Sequence, residues 1–281
     1  MSARRGRLVV VATPIGNLGD LSPRAADALR AADLIACEDT RRTRRLLSAT
    51  GIGAPRLMAV HGENERAQVA TVVALVEQGG TVALVSDAGS PGVSDPGRVL
   101  VAAVADAGHS VEVVPGPSAV VTALSASGLP AERFVFEGFL PRKGPERRAR
   151  LAAIAEDERT TVVYEAPSRV TATLTELGDV CGADRLVVVA RELTKLHEEI
   201  RRGPLRDIVR WATENELRGE FVFVIGGRPE GDRPEIDDAV ILAALADARA
   251  AGASNREAAS DVSIALDVPR NRVYKLAIRP T

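Results

Sequence analysis

Thr81-Val82-Ala83-Leu84-Val85-Ser86-Asp87-Ala88-Gly89-Ser90-Pro91-Gly92-Val93-Ser94-Asp95-Pro96-Gly97 is the stretch that decides the fold class of this chain. A short apolar, β-branched run stops at a loop holding three Gly and two Pro, and a helix-like pattern follows from Arg98 to Ala107. Strand, tight loop and helix in that order are how open α/β sheets build ligand sites, because small residues let backbone N–H and C=O groups come close to a ligand. Val111-Glu112-Val113-Val114-Pro115-Gly116-Pro117-Ser118-Ala119 repeats the device. Two such loops, one strand apart, predict a small-molecule pocket along the carboxyl ends of a sheet.

On the amino-terminal side the same alternation continues. Leu8 to Ala12 reads as a strand, and Ser22-Pro23 supplies an N-cap and first-turn proline for a helix through Ala31. Leu34 to Cys37 and Leu57 to Val60 read as strands, and Arg66 to Gln78 as a helix closed by Gly79-Gly80. This βαβα order predicts a mostly parallel sheet of about five strands in an N-terminal α/β domain, 1–128. From 129 to 227 the texture changes. Strands are expected at 134–136, 160–164, 185–191 and 221–225, and helices at 146–155, 170–177 and 205–214. Hairpin-length spacings mixed with helices predict a second α/β half with a mixed sheet. Gly226 to Pro234 reads as a linker, and 235–281 as a small helical domain whose last two helices, split by Leu266-Asp267-Val268, resemble a helix-turn-helix.

Composition narrows the function. Of 281 residues, 46% are apolar and 26% charged, as in an ordinary soluble globular protein. No run approaches the ~18 apolar residues of a membrane span, and the apolar run after the basic N-terminus is too short for a signal peptide. Cys37 and Cys181 stand far apart and there are three histidines, which speaks against disulfide scaffolds and structural zinc. The expected compartment is the cytoplasm. There is no G-x-G-x-x-G after a strand and no G-x-x-x-x-G-K-[ST], so neither a dinucleotide nor a nucleoside triphosphate is expected. Net charge is −2, yet Arg41 to Arg45 carries four positive charges in five residues and Pro141 to Arg150 a net +4. Such clusters on a near-neutral protein suit a nucleic acid held at chosen places, and equally suit a solvated helix face.

Polar residues gather where strands end. Cys37-Glu38-Asp39-Thr40-Arg41, His61-Gly62-Glu63-Asn64-Glu65, Tyr164-Glu165-Ala166-Pro167-Ser168-Arg169 and Arg191-Glu192-Leu193-Thr194-Lys195 all follow expected strands. With the two Gly/Pro loops they make six strand ends converging on one crevice.

These residues carry a resemblance. Val11-Ala12-Thr13-Pro14-Ile15-Gly16-Asn17-Leu18-Gly19-Asp20, Glu38 to Arg41, Ser86 to Gly97, Pro115 to Ala119 and Tyr164 to Arg169 together resemble the tetrapyrrole methylase superfamily, and more closely its small-subunit ribosomal RNA methyltransferase I branch. The match runs from about Leu8 to Gly227, and the helical tail resembles that branch's C-terminal extension. The resemblance implies two α/β halves with S-adenosylmethionine (SAM) between them, and 2′-O-methylation of a decoding-centre cytidine ribose in the 16S rRNA of the small ribosomal subunit. It also implies a homodimer. By similarity Ile15, Asp87, Ser90, Ser118, Ala119, Glu165 and Ala166 would hold the cofactor. Tetrapyrrole-type relatives open with a glycine-rich loop where this chain has Ala12-Thr13-Pro14-Ile15, which weakens a porphyrin-like substrate. A tetrapyrrole or diphthamide-type methylase remains the alternative on the same scaffold. A ligand-sensing nucleic-acid-binding protein with a helix-turn-helix tail is the alternative of another class.

Methyl transfer from a sulfonium is an in-line displacement, so alignment and water exclusion are the main tasks. A ribose hydroxyl is a poor nucleophile at neutral pH and needs a base or an orienting acceptor. Asp39, Glu65, Glu192 and Lys195 are the candidates. Lys195 is favoured, on the expectation that desolvation and nearby Arg191 lower its pKa. Arg41, His61, Asn64, Arg142, Lys143 and Arg169 are the expected RNA contacts, with the cations on phosphates.

Overall fold

A computed structural model describes residues 6–53, 55–229, 237–266 and 268–278. Residues 230–234 of the expected linker, 235, 236 and 279–281 of the expected C-terminal domain, Asp267 of its expected turn and residues 1–5 lie outside the described residues. The chain divides into two units, 1–228 and 229–281.

In the first unit the chain begins β1 (Arg7–Val11), α1 (Pro23–Ala31), β2 (Leu34–Cys37), α2 (Thr40–Ala49), β3 (Arg56–Ala59) and α3 (Glu65–Glu77). It continues β4 (Thr81–Val85), α4 (Arg98–Asp106), β5 (Ser110–Val114) and α5 (Ala119–Ser127). The five strands form one sheet in the order β3-β2-β4-β1-β5, every neighbouring pair parallel. Covering both faces with helices requires strands apolar throughout, and β2 and β4 are buried along their whole length. The chain leaves β1 toward β2 on one side and passes from β4 to β5 across β1 on the other. That reversal opens a crevice at the carboxyl ends of the strands, where such sheets take their ligands.

The second half runs β6 (Phe134–Phe139), α6 (Pro145–Glu156), β7 (Thr160–Glu165), α7 (Val170–Cys181), β8 (Leu186–Arg191), β9 (Glu199–Pro204), α8 (Leu205–Glu214) and β10 (Phe221–Ile225). Its sheet has the order β6-β7-β10-β8-β9. β6 and β7 are parallel, and β10 is antiparallel to both β7 and β8. The expected mixed sheet is present, with one strand more than expected: β9 pairs antiparallel with β8 on the sheet edge. Its sequence, Glu199-Ile200-Arg201-Arg202-Gly203-Pro204, lacks any apolar alternation, because the ladder with β8 and not a buried face holds it in place.

The strands of this sheet alternate in and out. Val163, Val189 and Phe223 face the core under α6, α7 and α8. Val162, Val188 and Val224 face the other way, onto Val120, Ala123 and Leu124 of α5 from the first half. Helix α5 thus joins the halves through a continuous apolar cluster, each buried Val or Leu contributing roughly 1.5–3 kcal/mol.

The second unit holds α9 (Asp238–Ala250), α10 (Asn255–Ala265) and α11 (Arg270–Ala277) around Ile241, Leu245, Val262, Val273 and Leu276. Ser254 caps α10 through a reciprocal capping box with Glu257.

Candidate active site

Antiparallel pairing sets the edge of the second sheet that meets the crevice. Phe221, the first residue of β10, lies opposite Glu165 at the end of β7 and Arg191 at the end of β8. Strand ends and the segment before β10 therefore share one edge. A cavity of about 340 Å³ lies between this edge and the loops of the first sheet. Ile15, Gly89, Ser90, Asp95, Ser118 and Ala119 line it from one half, and Phe139, Tyr164, Glu165, Ala166, Leu193 and Phe221 from the other.

Backbone geometry explains the loops. Thr13 and Gly89 exchange both backbone hydrogen bonds, N–H to O=C at 2.9 and 3.1 Å, which stitches the loop after β1 to the loop after β4. Gly89 has φ +79°, and a Cβ there would press on Ile15 Cγ2 at 3.3 Å. A side chain at this position would be strained and would fill the cavity floor. Across the cavity, Asn17 N–H donates to Thr194 Oγ1 at 3.1 Å, and a Cβ at Gly16 would collide with Lys195 Cγ. Among the described residues the non-glycine residues with positive φ are Ser94, Glu192 and Thr194, all in the two loops beside this cavity. Such conformations cost of order 1–3 kcal/mol each and cluster at functional sites.

Of the seven residues expected to hold a cofactor, Ile15, Ser90, Ser118, Ala119, Glu165 and Ala166 line the cavity. Asp87 does not. It accepts Asp39 N–H at 3.1 Å and pairs with Arg42 at 3.4 Å, holding the start of α2 against the loop after β4. Glu165 is 2% exposed and fully engaged: it accepts from Thr173 Oγ1 at 2.6 Å and Ala166 N–H at 2.9 Å, and pairs with Arg169 at 3.2 Å. It shapes the wall.

The expected bases separate sharply. Lys195 Nζ lies 2.8 Å from both Glu192 Oε1 and Glu220 Oε2. Partial burial works against its charge, but the hydrogen bonds and charges of these two carboxylates outweigh it and raise its pKa. The expected lowering is corrected: Arg191 is turned away, donating to Arg218 O at 2.7 Å and pairing with Glu199. Lys195 is a locked cation and a poor proton acceptor. Burial pushes Glu192 up, yet Lys195 and the Glu220 N–H more than reverse this and hold it below the usual carboxylate range. Glu65 is buried, and its Oε1 accepts the N–H groups of Gly97, Val99 and Leu100 at 2.8–3.1 Å. It closes the amino end of α4 and is not at the cavity wall. Asp39 caps α2 through Arg41 N–H at 2.7 Å, and the Arg41 guanidinium holds its carboxyl well below its ordinary range.

A carboxylate that sequence reasoning passed over does line the cavity. Burial and the charges of Glu38 and Asp87 push Asp95 up to about 6, against a lowering hydrogen bond with Ser86. Glu38 is also raised, by burial first and Asp87 second. Tyr164, edge-on to Phe136 at 5.0 Å between ring centroids, is pushed to about 12 by burial and Asp95.

The expected RNA contacts differ in how free they are. Arg41 is exposed but paired with Asp39 at 2.8 Å. Asn64 closes its own turn, accepting His61 N–H at 2.8 Å and donating to Ala59 O at 3.1 Å, with the His61 side chain outside. Arg169 donates to Leu140 O at 2.8 Å and to Pro141 O at 3.3 Å, so it braces the next loop. Arg142 and Lys143, on that loop, are exposed. They lie between the braced carbonyls and α6, whose Arg147 donates to Pro141 O at 2.9 Å.

Comparison with known proteins agrees with this architecture. Residues 7–209 match the family model of the tetrapyrrole (corrin/porphyrin) methylases. The chain is 44% identical to ribosomal RNA small subunit methyltransferase I of Synechocystis over 97% of this chain and 98% of that one. It is 43% identical to the protein of that name from Escherichia coli O157:H7, over 98% and 95%. Among solved structures, a cobalt precorrin-4 methyltransferase superposes with TM-score 0.60 at 18% identity, covering 78% of this chain and 94% of that chain. A Thermus thermophilus uroporphyrin-III C-methyltransferase, solved with S-adenosyl homocysteine, superposes at 0.56 and 19% identity, covering 79% and 97%.

Proposed function

The chain belongs to the tetrapyrrole methylases, in the ribosomal RNA small subunit methyltransferase I family, and from that membership we propose that it methylates the ribose 2′-oxygen of a decoding-centre cytidine in 16S rRNA with SAM. The observation that carries the reading is identity of 43–44% with relatives of that name over nearly the whole chain, tail included.

The cavity residues fit SAM. A volume of about 340 Å³ falls in the range of small-molecule sites. Ile15, Leu193 and Phe221 offer apolar walls for a purine, and Gly89 and Ala166 bring backbone close to a ligand. When bound, SAM supplies an electrophilic methyl carbon on a sulfonium. The chain's tasks are then to exclude water, align the ribose oxygen and receive its proton. The basic loop Arg142–Lys143 and the exposed arginines of α2 would grip phosphates, which fix position and do not read sequence. Arg256, Arg270 and Lys275, exposed on α10 and α11, would add contacts to the ribosomal substrate. Assembly as a homodimer and residence in the cytoplasm are part of the same proposal. No helix among the described residues is long and apolar enough to cross a membrane.

The test is transfer of tritium from methyl-labelled SAM to small ribosomal subunits from a strain lacking the gene, followed by nuclease digestion and mass spectrometry. The expected product is one 2′-O-methylcytidine per subunit. Label on a base, or on a precorrin-like acceptor and not on subunits, would overturn the reading.

A further inference from the structure

Three carboxylates line the cavity, and two are committed. Glu165 is held by Thr173, Arg169 and its own neighbour's N–H, and Glu220 by Lys195. Asp95 has no cationic partner among the described residues.

Its position is fixed from both sides. Ser94 is held at φ +62°, and its hydroxyl lies 3.0 Å from where a Cβ of Gly138 on β6 would stand, so the loop is seated against the second half. Gly92 N–H donates to Pro96 O at 3.2 Å, and Gly97 N–H is bound by Glu65 at 3.0 Å. A half-buried carboxylate on a rigid loop, facing a cavity at a sheet's switch point, is placed to meet a bound reactant.

We propose that Asp95 accepts the proton of the ribose hydroxyl as that oxygen is methylated, an assignment that rests on the function proposed above. As the oxygen–carbon bond forms, the carbon–sulfur bond breaks with its electron pair left on sulfur. The hydroxyl proton passes to an Asp95 carboxylate oxygen and later to solvent. Charges balance: the sulfonium becomes a neutral thioether and the carboxylate a neutral acid. The groups facing Asp95 are the carboxylates of Glu38 and Asp87, the Ser86 hydroxyl and, from the second half, Tyr164, with the Glu220–Lys195 pair and the Glu165–Arg169 pair on the cavity walls. Burial first, and then the like charges, raise the carboxyl to about 6, where it is ionised at neutral pH and is a stronger base than an ordinary aspartate.

The experiment compares wild type with Asp95→Asn by single-turnover methylation of subunits at saturating SAM across pH, by calorimetric SAM affinity, and by carbon-13 NMR titration of the Asp95 carboxyl without ligand. The wild-type rate should rise tenfold per pH unit until about pH 6 and then level, and the carboxyl should titrate near the same pH. Asp95→Asn should bind SAM as wild type does, be slower by about 10²–10⁴-fold and lose the rise with pH. An Asp95→Asn enzyme of wild-type rate would overturn the assignment. So would loss of SAM affinity as the main defect, or a carboxyl titrating at an ordinary value of about 4. Should the variant not fold, the wild-type profile and titration decide, since absence of either feature near pH 6 overturns the assignment. Wild type that transfers nothing to subunits removes the proposed function itself, whatever Asp95 does.

Discussion

Thr173 Oγ1 donates a 2.6 Å hydrogen bond to Glu165 Oε2 where solvent reaches neither residue, their exposures being 0% and 2%. The same Thr173 oxygen accepts from Arg147 Nη2 at 2.9 Å, and Arg147 and Arg169 both hold Pro141 O. One buried network therefore joins the cavity wall to the basic loop at Arg142 and Lys143. Thr173→Val keeps the shape and removes the bridge, which should cost about 1–3 kcal/mol because a buried carboxylate oxygen and a guanidinium N–H lose their partner. Glu165→Ala leaves Arg169 without its ion-pair partner and Thr173 without its acceptor, while Arg147 keeps Glu176. It should cost about 3 kcal/mol, the low end for a buried pair because Arg169 is partly exposed. In a unit of this size the melting midpoint should fall about 2–4 °C per kcal/mol, read by circular dichroism. Trypsin should cut after Arg142 and Lys143 faster in both variants than in wild type. Unchanged cleavage would mean that the loop is held by other contacts.

Glu65 makes a contrasting prediction. Three N–H groups at the amino end of α4 depend on one carboxylate oxygen, and both Gly97 and Leu100 are buried. Glu65→Ala leaves them unsatisfied and should lose about 2–4 kcal/mol, read as a lower urea midpoint. Glu65→Gln keeps a carbonyl acceptor and should lose less. Where it folds, Glu65→Gln should methylate at the wild-type rate, because the residue closes a helix and does not face the cavity. A folded Glu65→Gln with a large loss of turnover would return it to the chemistry.

The Lys195 cluster should leave a recognisable mark on stability against pH. The folded-state pKa of Lys195 lies above its unfolded value of 10.5, so its contribution is full below that pH and is lost as pH rises through the folded value. The Glu192 pKa is lowered below 4.5, so its contribution is present above that value and lost as pH falls through the folded one. Lys195→Met should therefore lower the unfolding free energy by a nearly constant amount, about 1 kcal/mol for a partly exposed pair, between pH 5 and 10. Chemical denaturation at pH 6, 8 and 10 reads it. A deficit that vanishes between pH 7 and 8 would mean that Lys195 titrates there and can serve as a base after all.

Much of this molecule is legible in its sequence because burial on both faces of a strand demands an unbroken apolar run. Val82 to Val85 and Phe221 to Ile225 read as strands, and the structure places both inside their sheets. The edge strand Glu199–Pro204 is illegible for the opposite reason: its order comes from hydrogen bonds to β8, to which side-chain polarity is indifferent. At the site, residues that follow strands can be found from sequence, and Ile15, Ser90, Ser118 and Ala119 do line the cavity. Glu220 precedes a strand and Phe221 opens it, and only the antiparallel pairing of β10 carries them to that edge. The charge state of Lys195 depends on Glu220, 25 residues away, and that of Asp95 on Glu38, from a different loop. Side-chain partners across loops have no local signature. Asp95 did leave a hint, as an acidic residue inside the Gly/Pro loop whose reading decides the fold.

Ala119, the first residue of α5, lines the cavity beside Ser118 with its side chain against the apolar cluster that joins the halves. An indole there would occupy space that a purine-bearing ligand needs. Ala119→Trp should weaken SAM binding by at least tenfold, measured by calorimetry, while the melting midpoint of the free protein moves by only a few degrees because the cavity can receive the ring. Unchanged SAM affinity would remove this cavity as the cofactor site.

The grip on RNA should show itself in salt dependence. Arg142 and Lys143 are exposed on a loop braced by Arg147 and Arg169, so their charges are presented from a fixed backbone and not from a mobile one. A ribose drawn from folded rRNA to meet a methyl donor must be unstacked, at a cost of a few kcal/mol. Phosphate contacts offset part of that cost and release counterions, so log affinity should fall linearly with log salt by about 0.7–0.9 per phosphate neutralised. Arg142→Ala with Lys143→Ala should flatten the slope by about one to two units. The double variant should bind SAM like wild type, because neither residue lines the cavity. It should also keep its melting midpoint, because both side chains lie in solvent and the bracing arginines are untouched. Binding of small subunits, followed by filter retention from 50 to 300 mM potassium chloride, separates the outcomes. A parallel shift with the slope retained would mean that the loop contributes shape and not charge, and a double variant indistinguishable from wild type would make this cluster a solvated surface with the phosphates held elsewhere.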